Sequence, residues 1–149
     1  MSELVSIVAA LLAVLAALYA RWQAKASERQ NEIALHNERL RLYHATLHFG
    51  ATLAGKGPDI ADGDAWKFKE SAELTEFYFN DTIYQRLNTV FNDALKLLSK
   101  NAQWEEAKRA GDPEAKTLNG ERYKLAQAIR DECFSAADAM KSKLRVGQV

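Results

Sequence analysis

The feature that most constrains this chain is a run of seventeen residues without a charge, LVSIVAALLAVLAALYA, from Leu4 to Ala20. At about 1.5 Å per residue a helix over this run is ~25 Å long, and extending it over residues 1–22 brings it close to the ~30 Å of a bilayer hydrocarbon core. Tyr19 and Trp22 stand where interfacial aromatic residues flank membrane spans. The run predicts a transmembrane anchor over residues 1–22, followed by a helical domain over residues 23–149.

Two alternatives remain for the same run. A cleaved signal peptide needs a positive amino-terminal region, and only Ser2 and Glu3 stand there, although Ala24-Lys25-Ala26 has the small-x-small form of a cleavage site. A buried helix of a soluble core fits the length, but the run shows no polar face over five turns.

The charges that flank the run predict its orientation. Arg21, Lys25 and Arg29 follow it directly, and no Lys or Arg precedes it. Because positive residues are retained on the cytoplasmic side, the amino terminus is expected outside and the rest of the chain in the cytoplasm of a bacterial cell, at the inner membrane. The lone Cys133 agrees with a reducing compartment.

Small residues form one stripe along the expected span. They recur at spacings of four, three, four and three residues: Ser6, Ala10, Ala13, Ala17 and Ala20. Such stripes let membrane helices approach closely, so they are a candidate packing face between copies of the chain; the alternative is an Ala-rich span suited only to insertion. The expected partners are thus the lipid bilayer and further copies.

The remainder of the chain predicts an all-α fold. Pro and Gly are scarce, with two and seven residues, and none falls between Met1 and Phe49, so the span is expected to continue into a cytoplasmic helix that ends around Gly50–Gly55. Three shorter helices follow. They are expected from about Asp64 to Phe79, from the Asn80-Asp81 cap to Ala110-Gly111, and from the Asp112-Pro113 start onward.

The cytoplasmic part of the first helix carries two apolar lines. Ile33, Leu40 and Leu47 stand at heptad spacing, and a second heptad line lies almost opposite, at Leu35, Leu42 and Phe49. One line is expected to face the bundle and the other a neighbouring copy, unless the helix is central to its own bundle.

The second helix is rich in aromatic residues and lies in an acidic segment. Its large apolar side chains are expected in the core, because no basic cluster accompanies them to make a base-stacking platform: Trp66, Phe68, Leu74, Phe77, Tyr78 and Phe79. The segment from Asp59 to Asp81 is also the candidate surface for a soluble protein or ribonucleoprotein partner.

Composition excludes several function classes. Twenty basic and twenty acidic residues give zero net charge, which excludes a generic polyanion binder, and direct sequence-specific binding of nucleic acid is not expected. One Cys excludes a disulfide framework and a multi-Cys zinc site. His44 and His48 have metal-compatible spacing but no third ligand nearby, so neither metal nor cofactor is expected.

The pairs Arg39…His44 and Arg41…His48 resemble the Arg-x4-6-His motif of HEPN ribonucleases, which are all-helical. In that family two such motifs, one from each protomer, meet at the dimer interface. Leu40 and Leu42 stand where that motif commonly has a polar residue, so an enzyme is not expected, and Arg39 and His44 remain the only catalytic candidates. With its single span, the layout resembles the small HEPN-like membrane accessory proteins of RNA-targeting CRISPR systems, which implies assembly into a pore.

Three functions are therefore expected, in decreasing order of preference. The first is a single-pass membrane protein that homo-oligomerises and perturbs or gates the membrane, in a stress or defence setting. The second is a membrane-tethered adaptor that holds a soluble partner. The third is a HEPN-like ribonuclease.

Overall fold

A computed structural model describes residues 2–144, and within the first helix it describes the side chains of Ile7 and of residues 11 onward. The fold is all-α, with no strand in the described residues. Its helices are α1 (Ser2–Lys56), α2 (Asp62–Tyr78), α3 (Asp81–Ala110) and α4 (Ala115–Leu144). The chain divides into two compact units, Met1–Asn37 and Glu38–Val149.

The first unit consists of the amino-terminal part of α1. All of its described large apolar side chains are exposed: Ile7, Leu11, Leu12, Val14, Leu15, Leu18, Tyr19, Trp22, Ile33 and Leu35. Within the described residues no helix is both long and apolar enough to cross a membrane. Much of the expected span, namely Leu4, Val5, Ser6, Val8, Ala9 and Ala10, has side chains outside the described residues.

The second unit is an antiparallel bundle of the end of α1 with α2, α3 and α4. The Phe49 ring stacks on Phe68 between α1 and α2, with centroids 4.5 Å apart. Trp66 of α2 meets Phe91 of α3 edge-on at 5.3 Å. Between α1 and α4, the Thr46 hydroxyl donates to the Met140 sulfur at 3.7 Å. Each helix thus packs against its neighbours along the chain, and α4 returns to α1.

Turn and cap residues set the ends of the helices. Gly57 and Gly111, which follow α1 and α3, have φ of 62° and 69°, values that favour glycine because a Cβ is crowded there. Asn80 caps α3, since its side-chain oxygen accepts the Ile83 N–H at 3.1 Å. The predicted bounds of α3 at Asn80 and Gly111 are therefore confirmed.

Two local expectations are corrected. The Asp112-Pro113 pair forms a turn, in which Asp112 accepts the Glu114 N–H, and α4 begins at Ala115 rather than at the proline. On α2, Phe68 is buried, but Trp66 and Phe77 are 55% and 76% exposed. They lie on the outer face because the core contacts of this helix come from Ala65, Phe68, Ala72 and Thr75.

On α3 the apolar side chains at 4-3-4-3 spacing are all buried: Ile83, Leu87, Val90, Ala94 and Leu97. On α1 the structure distinguishes the two predicted lines. Leu42 and Phe49 are buried, and Leu35 of the same line, which belongs to the first unit, is exposed. On the other line Leu40 and Leu47 are only partly covered and Ile33 is exposed. The bundle therefore covers one side of this helix.

Candidate functional site

A groove runs along the surface of the second unit between α1 and α2. It is shallow and open to solvent, with a volume of about 620 Å³, and it is lined by Arg41, His44, Ala45, Leu47, His48, Ala51, Lys67 and Ser71. At the end near Asp64 it continues into a narrower cleft of about 170 Å³ that reaches Phe49, Thr52 and Phe68. We call the whole feature the α1–α2 groove.

Helical spacing brings the polar groups of the groove together. Arg41, His44 and His48 are three, four and seven residues apart, so they share one face of α1. Lys67 and Ser71 are four apart and share the facing side of α2. The result is a groove whose lining mixes basic side chains with small or aliphatic ones, and the residue spacing on α1 indicated only the α1 side of it.

Acidic residues stand at both ends of the groove. Glu38 accepts the Arg41 Nε–H at 2.9 Å in a surface ion pair. At the other end, Asp64 accepts from Lys56 Nζ at 2.7 Å and from the Ala61 N–H at 3.1 Å. The hydrogen bond from Lys56 and then that from Ala61 hold the pKa of the Asp64 carboxyl below its usual value. Lys67 forms no ion pair with any side chain that the structure describes.

The structure does not bring Arg39 and His44 to one face. Arg39 donates its Nε–H to the Tyr78 carbonyl oxygen at 2.9 Å, at the carboxyl end of α2. Five residues turn an α-helix by about 140° beyond a full turn, and His44 is exposed in the groove. Arg41 and His48, seven apart, do share a face there. Within one chain, therefore, the residues of the second Arg/His pair share a face, two turns apart, and those of the first do not.

Of the residues predicted to orient or pack the span, those described lie on the surface of the first unit. Arg21, Lys25 and Arg29 are exposed, as are Ala13, Ala17 and Ala20. Ser6 and Ala10 lie outside the described side chains.

Sequence reasoning did not find a hydrogen-bonded cluster around one buried arginine. The Arg122 side chain, 2% exposed, donates to Asn101 at 2.7 Å, to Asn119 at 3.2 Å and to Asp59 at 2.5 Å. Its guanidinium carbon lies 3.9 Å from the Trp104 ring centroid, and Asn101 in turn donates to the Pro58 carbonyl at 2.7 Å. The cluster ties the α1–α2 loop to α3 and α4, so its role is structural.

Neither the lone cysteine nor a cluster of metal ligands offers a reactive centre in the described residues. Burial, and then the nearby Glu132 charge, raise the pKa of the Cys133 thiol to about 12, so it stays protonated at neutral pH. No group of three or more His, Cys, Asp or Glu side chains in the described part of the chain is placed to hold a metal ion.

Comparison with protein-family models, with curated proteins and with solved structures gives no match to this chain. Its function must therefore be inferred from its own residues and their placement.

Proposed function

We propose that this chain is a single-pass membrane protein that assembles with copies of itself and perturbs or gates the membrane that anchors it, in a stress or defence setting. The observation that supports this most directly is the charge-free run Leu4–Ala20, followed by Trp22. Every described large apolar side chain between residues 11 and 22 is more than half exposed. Covering one such side chain is worth about 1.5–3 kcal/mol, so lipid or another copy is the favoured environment.

The basic residues after the run support the proposed orientation. Arg21, Lys25 and Arg29 are exposed and lie within the first few turns after it. In the proposed arrangement they contact the cytoplasmic headgroups, and the bundle from Glu38 onward lies in the cytoplasm.

Self-assembly is supported by the partly covered line on α1. Leu42 and Phe49 are in the core, and on the other side of the same helix Leu47 lines the α1–α2 groove. Apolar residues left on a second side of a helix are typical of contact with another helix.

The composition of the span constrains how a pore would work. A ring of these spans would be lined by Ala, Leu and, at most, Ser6. A narrow apolar pore loses its water and closes, so opening would require a partner or ligand. The proposed partner is a soluble protein or ribonucleoprotein that acts on the cytoplasmic bundle.

Reconstitution of the full-length protein into liposomes tests this function. We expect it to float with the liposomes, to form a cross-linked ladder beyond the monomer, and to conduct in at least one condition. Ala13→Leu and Ala17→Leu, on the small-residue stripe, should reduce assembly, and Val14→Leu, off the stripe, should not. A protein that only ever cross-links as a monomer and never conducts would exclude the proposal.

A membrane-tethered adaptor is the second candidate, and the exposure of Trp66 and Phe77 on α2 favours it. Large exposed aromatics in an acidic segment are suited to holding a partner. An adaptor would stay monomeric and non-conducting in the same liposomes, and Phe77→Ala would release a co-purifying protein without changing flotation.

A further inference from the structure

The outer face of α2 carries a second surface with a distinct pattern. Trp66, Glu70, Glu73 and Phe77 are four, three and four residues apart, so they form one line along the helix, and all four are exposed. We call this line the α2 stripe. Two aromatic side chains stand at its ends, and two carboxylates stand between them.

The stripe is held in place by the bundle beneath it. Trp66 rests edge-on against Phe91. Glu73 is paired with Lys69 at 3.4 Å, and Lys69 itself lies over the Phe91 ring at 4.9 Å. Glu70 has no ion-pair partner among the described side chains. Since surface pairs like Glu73–Lys69 are weak, both carboxylates can interact with a cation on another surface.

The α1–α2 groove has the complementary chemistry. Its lining combines Arg41, His44, His48 and Lys67 with small or aliphatic residues such as Ala45 and Ala51. An aromatic side chain can pack on the apolar lining residues while a carboxylate meets a basic side chain.

The two surfaces also agree in length. Phe77 lies eleven residues after Trp66, about 16 Å along a helix, and Ala51 lies ten residues after Arg41, about 15 Å. Stripe and groove lie on different sides of α2, because Lys67 and Ser71 point to α1 and the stripe does not. One chain therefore presents both halves of a contact.

We infer that the α2 stripe of one copy docks in the α1–α2 groove of a second copy. When each copy uses its stripe and its groove on different neighbours, the contact is heterologous, and repeating it produces a ring if the rotation closes. The inference rests on the self-assembly proposed above, and it deepens that proposal by assigning the surfaces that join the copies.

Charge reversal in the full-length, detergent-solubilised protein tests the contact. We expect Glu70→Lys with Glu73→Lys to raise the concentration needed for assembly about tenfold or more, and Arg41→Glu with Lys67→Glu to do the same. Carrying all four changes in one chain should restore assembly, since the charges are complementary again. Particle mass by light scattering measures each variant.

Matched controls separate this contact from general effects of charge or size. Glu106→Lys with Glu114→Lys makes the same charge change at exposed positions away from both surfaces and should leave particle mass unchanged. Phe77→Ala should weaken assembly, whereas Tyr123→Ala, which removes another exposed aromatic ring on α4, should not. A circular-dichroism melt confirms that each variant is folded.

The outcomes distinguish the two proposals. A wild-type protein that is monomeric in both detergent and liposomes overturns the proposed function and this contact with it. A wild-type oligomer whose mass is unchanged by reversal of either surface overturns the contact alone. The contact is also overturned if both charge reversals abolish assembly and the four-change variant does not restore it.

Discussion

At the scale of single residues, Arg122 shows how this bundle holds a charge in its interior. The guanidinium group has partners on three segments, namely Asp59, Asn101 and Asn119, and the Trp104 ring covers it. A buried charge is tolerated when it is hydrogen-bonded in this way, and removing it takes a donor from the partly buried Asn101 and Asn119.

We predict that Arg122→Met lowers the free energy of unfolding by about 2–3 kcal/mol, because charge-assisted hydrogen bonds are lost and the Asn101 side chain loses its donor. Arg130→Met is the matched control. That arginine pairs at the surface with its neighbour Asp131, so its loss should change stability by no more than about 0.5 kcal/mol. Thermal and urea unfolding, followed by circular dichroism, measures both variants. An equal loss of stability in the two would contradict the prediction.

Residue placement also bears on the resemblance to the Arg-x4-6-His motif. Arg39 is engaged with the Tyr78 carbonyl, whereas Arg41, His44 and His48 line the groove. A chemical role for any of these histidines therefore involves Arg41 more directly than Arg39 within one chain.

At the scale of helices, the contact between α1 and α4 depends on a glycine. A Cβ placed on Gly50 would lie 3.1 Å from the Cys133 Cβ and 3.3 Å from the Phe134 ring. The absence of a side chain there lets the two helices pack closely along the line that also joins Thr46 and Met140.

Substitutions at two helical glycines should have opposite effects. Gly50→Val introduces atoms into a filled contact and should cost about 1–3 kcal/mol. Gly120→Ala in α4 meets nothing within 4 Å, so it should stabilise the protein by about 0.5–1 kcal/mol through helix propensity. Equal effects of the two changes on the melting temperature would show that the α1–α4 contact is looser than the distances indicate.

At the scale of the whole molecule, the proposed topology rests on a charge asymmetry in a chain of zero net charge. The twenty basic residues are spread along the sequence, but none precedes the apolar run and three follow it closely. Orientation in a bilayer responds to such local differences, and it is insensitive to net charge.

We predict that moving the positive charges from the carboxyl side of the apolar run to its amino side inverts the orientation of the protein in the membrane. The bundle should lie on the opposite side of the membrane in a variant with positive charge before the run and none directly after it. This variant carries Ser2→Arg, Glu3→Arg, Arg21→Ser, Lys25→Ser and Arg29→Ser. Removing three distant charges, by Lys116→Ser, Lys124→Ser and Lys141→Ser, should leave orientation unchanged. Protease accessibility in sealed vesicles measures the side, and identical digestion of both variants would contradict the prediction.

Much of the helical architecture was predictable because helix formation is local. The 4-3-4-3 line of α3, its Asn80 cap and its Gly111 end all act within a few residues of one another. The α1–α2 groove was predictable only in part, since the spacing of Arg41, His44 and His48 places them on one face without showing what lies opposite.

The sequence by itself thus determined the helices, their order and the charge-free run with its basic flank, because each depends on neighbours along the chain. The tertiary structure decided which apolar line of α1 is buried, that Trp66 and Phe77 face outward, and that Arg122 meets Asp59 from 63 residues away. These choices depend on how side chains from distant segments fit together, and helical periodicity carries no information about that fit.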